Sequence, residues 1–389
     1  MAKIPVQELS IADAGGIINS LVFIFGTVSP NGLTIKIQNI YHALRDKAMK
    51  KFIKIIFIIS IIFFLIGCKE FVREFVYELN SDKTGYILKE YNGSSENVII
   101  PDSYNGLPIT EIGDPAFYEK RHVTGDLIIP ETITKIEDFA FSYTGFTKIV
   151  LSKNLKIIGK KAFLECKNLK SITFHDSIEE IKEGAFDGCS KLTGNLNIPK
   201  NLTKIEEETF KNTGYTGLTI PNNIKIIEEG AFAGANLAGH IIIPDSVIEI
   251  EDRAFYGTSA EKITISKSIK RIGNWTFAAN NKLREVVIPE GVTEIGGAAF
   301  SLCHFLKSVT IPSTVTSIGN FAFGEDCNCL TKIICNAPNP PIIEDDTFHM
   351  VGFLAANSVK VSIRVPKYSI SAYQKAPVWK EYKDIIISQ

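Results

Sequence analysis

The chain has almost no net charge, with 42 Lys and Arg against 43 Asp and Glu in 389 residues. Seven of the basic and only three of the acidic residues fall within positions 1–67, so the remainder is mildly acidic. That balance gives no global attraction to polyanions and weighs against nucleic acid, so no nucleic-acid partner is expected. Catalytic signatures are also missing: there is no HExxH, GxSxG or CxxC, and no Walker or GxGxxG sequence at a strand-helix junction. The six His (42, 122, 175, 240, 304 and 349) fall at unrelated phases of the pattern described below. The expectation is therefore a protein that is not an enzyme and holds no cofactor and no metal. Long apolar runs are scarce too. The one candidate, Ile55 to Gly67, is 13 residues interrupted only by Ser60, short of the roughly 20 needed for an ordinary spanning helix.

What the chain does have is apolar material, 45% of its residues, and a period. An Ala-Phe or Thr-Phe pair recurs at Phe117, Phe141, Phe163, Phe186, Phe210, Phe232, Phe255, Phe277, Phe300, Phe323 and Phe348, with Thr replacing Ala at 209, 276 and 347. These eleven markers lie 22 to 25 residues apart. A fixed period in that range is the mark of a leucine-rich-repeat solenoid, in which each unit buries its apolar face against its neighbours.

Within the unit, Leu169-x-x-Ile172-x-Phe174 leads to Ile178-x-x-Ile181 and then Ala185-Phe186-x-x-Cys189. The apolar alternation and β-branched residues predict a short strand whose middle residue points outward. Pro at 101, 130, 199, 221, 244, 289 and 312 follows that strand and stops it. A turn, an Ile-x-x-Ile step and a short helix or turn carrying Ala-Phe complete the unit. The predicted fold is an α/β solenoid: a right-handed coil of about 11 repeats, with a continuous parallel sheet on the concave face and short helices or turns on the convex face. Phe117, Phe186 and Phe255 lie 69 residues apart and their flanks agree, so three repeats were copied as a block. The added Gly125 and Gly194 predict a bulge at positive φ entering the strand.

Upstream, Met49-Lys50-Lys51-Phe52-Ile53-Lys54 precedes the apolar run, which ends Leu65-Ile66-Gly67-Cys68. Basic residues followed by a short apolar core form a secretory signal layout. The ending resembles a bacterial lipobox. That resemblance implies cleavage after Gly67, diacylglyceryl attachment to the Cys68 sulfur and a lipid-anchored protein in the bacterial envelope. The plainer alternative is a buried helix over 52–67 with Cys68 as an ordinary thiol. Residues 1–48 carry no motif, and under the signal reading translation starts at Met49. The expected organisation is 1–48 upstream extension, 49–67 signal peptide, 68–106 N-terminal cap, 107–365 solenoid and 366–389 C-terminal cap.

The run Ile288-Pro289-x-x-Val292-x-x-Ile295-Gly296-x-x-Ala299-Phe300-x-x-Cys303 resembles the BspA-like leucine-rich-repeat family of bacterial surface proteins. The next unit departs at its end, with Asp326 at the Cys position. The resemblance implies surface exposure and a protein ligand, such as host extracellular matrix or another cell's surface protein. The alternative is a structural envelope lipoprotein that binds other bacterial components.

Two features could carry binding. If the middle strand residue points outward, the concave face presents an uncharged column of Ile128, Val150, Thr173, Asn197, Thr219, Ile242, Thr264, Val287, Thr310 and Ile334; the central seven, Thr173 to Thr310, are the candidate binding residues. Strand propensity alone explains the same residue types. Beside it runs a column of mixed sign from Asp126 to Lys332. The second feature is the convex position before Ala-Phe, where Phe139, Trp275 and Phe321 stand, though packing between turns explains those equally. Cys166, Cys189 and Cys303 share a slot otherwise filled by Thr144, Thr213, Ala235, Thr258 and Asn280. That slot wants a small residue, and stacking would also bring Cys166 and Cys189 within disulfide range. Cys327 and Cys329 stand too close for an easy mutual bridge, and Cys335 is an alternative partner.

Overall fold

The computed structural model describes residues 28–29, 32–33, 74–324, 326–348 and 361–389. The signal layout and Cys68 lie outside the described residues. The chain divides into two units, Met1–Val72 and Arg73–Gln389. In the first, Val28–Ser29 pairs antiparallel with Gly32–Leu33.

The second unit is a parallel-strand solenoid of about 13 turns. It extends past the eleven Phe-marked repeats at both ends: the Tyr91 N–H donates to the Ala116 carbonyl as the Phe markers do to theirs, and behind them Ser362–Val365 and Ile386–Ser388 add two more strands. From Asp126 to Ile343 each turn contributes two short strands, one more than the apolar alternation predicts. The first belongs to the predicted strand, as in Ser171–Thr173, whose Ile172 is buried between two exposed neighbours. The second is the Ile-x-x-Ile step, as in Glu180–Ile181, where only Ile181 is buried. Both pair in parallel with their equivalents one turn away, for example Ile172 with Ile149 and Ile158 with Ile181.

The first ladder is not continuous. It forms hydrogen-bonded groups of three, two, three and four strands, with breaks after Thr173, Thr219 and Val287. Two of the breaks precede strands entered through an inserted glycine. Gly194 has φ +88° as expected, and Gly239, with φ +70°, sits at a shift of register. Gly125 does not adopt positive φ. The third break has no inserted residue, and nothing in the sequence accounts for it.

The Ala-Phe segment is a turn in every repeat, and among the described residues helix is confined to Lys367–Ser369, Ile370–Lys375 and Trp379–Tyr382 in the closing segment. The reason lies in where the backbone donors go. Phe163 N–H donates to Ala185 of the next unit at 2.8 Å, and Lys161 and Glu165 on either side donate to Glu183 and Asp187. Lys161 and Glu165 have φ of +53° and +57°, and this left-handed backbone turns alternate N–H groups toward the neighbour. The same two positions, two before and two after the Phe, are left-handed in unit after unit, occupied for instance by Gly184 and Gly188 or Trp275 and Ala279. An α-helix would direct those donors along the chain, so the inter-unit bonds exclude it.

The eleven Phe rings form one stack. Successive centroids lie 5.0 to 6.1 Å apart with planes within 3° to 20° of parallel. Tyr91 extends the stack at one end, 5.2 Å from Phe117, and Trp379 closes it at the other, 5.6 Å from Phe348. Where Thr replaces Ala, its buried hydroxyl finds a backbone acceptor, as Thr209 does on Glu206 at 2.7 Å.

Both ends are shielded. The antiparallel hairpin Phe75–Leu79 and Tyr86–Tyr91 heads the second ladder through pairing of Tyr86–Tyr91 with Leu107–Ile112. Val98 to Ile100 form no strand, although Pro101 stands at the strand-stopping position. At the far end, Ser362–Val365 and Ile386–Ser388 complete the first ladder. There Trp379 Nε1 donates to the Pro341 carbonyl at 2.7 Å.

Candidate binding face

The outward column of the first ladder exists as the alternation requires. Thr173, Asn197, Thr219, Ile242, Val287 and Thr310 are exposed and Thr264 is half-buried, as are Ile334 and the following Arg364. Register pairs Asn197 with Thr219, Ile242 with Thr264, Thr264 with Val287 and Thr310 with Ile334. The breaks in the ladder fall between Thr173 and Asn197, between Thr219 and Ile242, and between Val287 and Thr310, so those neighbours share a face without a strand pair.

The face differs along its length. At its start Ile99, Ile128 and Val150 form an apolar run, exposed by 86, 69 and 38%. Ile99 lies outside any strand, and Ile99-Ile100-Pro101 repeats Ile128-Ile129-Pro130 one turn ahead of it. The middle is polar and cross-linked by side chains: Asn195 Nδ2 donates to Asn197 at 2.7 Å and to Thr219 at 2.9 Å, and His240 Nε2 lies 2.8 Å from the Thr264 hydroxyl. In the mixed-sign column Lys262 pairs with Glu285 at 3.0 Å. These bonds fix rotamers across the face before any partner arrives.

The second ladder carries the acidic residues, and an open groove of about 430 Å³ there is lined by Glu229, Glu249, Glu251, Asp252 and Arg271 among others. Two of its carboxylates are already committed to backbone, and Glu229 pairs with Arg253 at 2.8 Å. Glu251 accepts the Glu229 N–H at 3.0 Å, and Asp252 accepts the Asn274 N–H at 2.8 Å. Glu206 and Glu228 cap Glu183 and Glu207 likewise. Where the corner residue is Gly, an Asp or Asn of the preceding unit takes over the capping, as Asp138 does for Lys160 at 2.7 Å. Burial, then repulsion from Glu228 and other neighbouring carboxylates, pushes the Glu251 pKa up, which is what crowded structural acids do. Among the described residues no group of three His, Cys, Asp or Glu stands close enough to hold a metal ion.

Phe139, Trp275 and Phe321 of the convex column occupy left-handed positions and are half-buried, and Trp275 meets Tyr256 edge-on at 6.3 Å. In most units the cysteine slot supplies a donor as well as small size, Ala235 being an exception. Cys166 donates to the Phe141 carbonyl at 3.0 Å, Cys189 to Phe163 at 3.1 Å and Cys303 to Phe277 at 3.3 Å. Thr213 donates to Phe210 at 2.8 Å, and Asn280 serves Phe255 and Phe277. Cys327, not Asp326, fills the slot in its unit, donating to Phe300 at 3.1 Å. One extra residue after Phe323 shifts the register, and Asp326 takes the left-handed position instead, with φ +66°. Cys335 lies apart, 3.2 Å from the Tyr373 hydroxyl. None of the six described cysteines is bridged in this structure.

Two ladders, a stacked apolar column and nearest-neighbour bonding together define a leucine-rich-repeat solenoid. Residues 110–238 and 204–331, more than half of the chain, match the BspA type leucine rich repeat region, and the chain belongs to that family. No curated protein matches it. Among solved structures it is similar to a leucine-rich repeat protein from Bacteroides ovatus, with 21% identity, coverage of 82% of this chain and 100% of that one, and a TM-score of 0.47. It is also similar to a leucine rich cell surface protein from Faecalibacterium prausnitzii, with 24% identity, coverage of 68% and 93%, and a TM-score of 0.40.

Proposed function

We propose that this protein is a binding scaffold of the bacterial cell envelope that engages a protein ligand through the outward column of its first ladder. The observation that carries the reading is the column itself: uncharged residues, mostly exposed, on turn after turn, flanked by side chains already held in place. Extended solenoid faces suit protein recognition because many weak contacts add over a long rigid surface. The polar centre, from Asn197 to Thr264, offers hydrogen bonds, and the apolar run from Ile99 to Val150 offers burial. Adhesion to host matrix or to other cells is the role we assign it, with Cys68 as the lipid-bearing anchor on the strength of the lipobox-like sequence.

The double substitution Thr219→Glu and Thr264→Glu keeps an acceptor for Asn195 and His240 while placing charge on the face. Attachment of the purified chain to immobilised extracellular-matrix protein is expected to fall at least tenfold, with circular dichroism unchanged. Undiminished attachment would remove the first-ladder face from the proposal. Mass measurement of the processed protein tests the anchor, with a diacylglyceryl-Cys68 terminus as the expected result.

A further inference from the structure

The cysteine slot holds two stacked thiol pairs in adjacent units. Cys166 and Cys189 donate to the carbonyls of Phe141 and Phe163, whose rings stack at 5.3 Å, so the two sulfurs are related by a single step along the solenoid. Cys303 and Cys327 donate to Phe277 and Phe300, whose rings stack at 5.5 Å, and repeat the relation. The second pair is invisible in the sequence because of the extra residue before Cys327. One step of a parallel ladder is about 4.8 Å, inside the range of roughly 4.4–6.8 Å that Cα atoms of disulfides span. The remaining described cysteines are placed differently: Cys329 is half-buried and outside the slot, and Cys335 is engaged by Tyr373.

We propose that Cys166–Cys189 and Cys303–Cys327 are two disulfide staples, each tying one turn of the solenoid to the next under oxidising conditions. Each forms by thiol–disulfide exchange with a disulfide of an oxidant, whether a protein or a small molecule. One protein thiolate attacks that disulfide, forming a mixed disulfide and releasing one thiolate of the oxidant; the second protein thiolate attacks the protein sulfur of the mixed disulfide and releases the oxidant's other thiolate. The protein loses two electrons and two protons, and the oxidant's S–S bond is reduced to two thiols. All four sulfurs are buried in the closed solenoid, and burial holds the Cys189 and Cys303 thiols well above the ordinary range. Exchange therefore belongs to folding, before the units close, or to local opening. Each staple closes a loop of one repeat and leaves the Phe stack in place. The inference is independent of the proposed binding role.

The test is to refold the full chain in oxidised and reduced glutathione, alkylate it under denaturing conditions and map the peptides. The expected result is two linked peptide pairs, Cys166 with Cys189 and Cys303 with Cys327, with Cys329 and Cys335 alkylated. The Tm should then fall by a few degrees on reduction. The Cys189→Ala variant should expose Cys166 to alkylation while the Cys303–Cys327 link persists. Alkylation of all six described cysteines in the wild-type chain, or links involving Cys329 or Cys335, would overturn the proposal; the wild-type map decides even where the variant fails to fold.

Discussion

The rings of Phe163 and Phe186 lie 5.1 Å apart and 7° from parallel, in the interior of a stack with no other aromatic type between Phe117 and Phe348. Neither ring is exposed. Phe186→Ala removes ring contacts on both sides and leaves a cavity that Phe163 and Phe210 cannot collapse into. The expected cost is about 3–5 kcal/mol, measured by denaturant unfolding, with a loss of cooperativity as the solenoid divides at the gap.

The left-handed positions can be tested by exchanging two residues in opposite directions. Gly257 has φ +65°, and an added Cβ would meet nothing closer than 3.9 Å, so Gly257→Ala isolates the backbone cost at about 1 kcal/mol. Ala279 has φ +57° at the equivalent position. Ala279→Gly is expected to raise stability by a similar or smaller amount, read as a Tm shift.

The tight glycine corners should behave differently from the left-handed glycines. A Cβ on Gly159 would lie 2.5 Å from the Glu137 carbonyl carbon and 2.6 Å from the Asp138 amide nitrogen. Backbone on the neighbouring unit cannot yield as a side chain can. Gly159→Ala is expected to cost roughly 1–3 kcal/mol or more, with chemical denaturation as the measurement and Gly257→Ala as the comparison.

Two carboxylates on the second ladder predict opposite pH dependences. Glu251 is pushed up by burial and neighbouring acids, so its contribution is present below the ordinary carboxylate range and lost as pH rises through its raised native pKa. Glu251→Gln, whose amide oxygen still accepts the Glu229 N–H, is expected to raise Tm at neutral pH and to change nothing in acid. Glu183 is pulled down chiefly by its 2.6 Å bond from Lys160, so its contribution is present above the unfolded pKa and lost as pH falls through the native one. Glu183→Gln should lower Tm at neutral pH by an amount equivalent to at most about 1 kcal/mol, and the difference should vanish in acid.

The parts of this fold legible in the sequence were those set by side-chain identity. The Ala-Phe period and the apolar alternation fixed the solenoid, and the outward column followed from the pleat at Thr173 as at Thr310. The parts that were not legible depend on backbone direction. Lys161 and Glu165 are ordinary residues whose positive φ no composition announces, and without it the Ala-Phe segment passes for a helix. The two-residue second ladder is too short to show alternation at Glu180-Ile181. Cys327 escapes any count that assumes equal turns, and Ile99 stands outside the strands that alternation predicts. The face could be located from periodicity, but its partner could not, since Thr, Asn and Val are what an exposed strand prefers in any case.

The 69-residue spacing of Phe117, Phe186 and Phe255, combined with bonds that reach only the adjacent turn, makes length an adjustable quantity in this molecule. Removing residues 187–255 would join Phe186 to Tyr256 and recreate a junction the chain already possesses. The shortened protein would keep both caps and lose about three rungs of its outward column. Gene-level duplication or excision of that block would thus retune reach and avidity through turn-to-turn contacts of the kind the chain already makes.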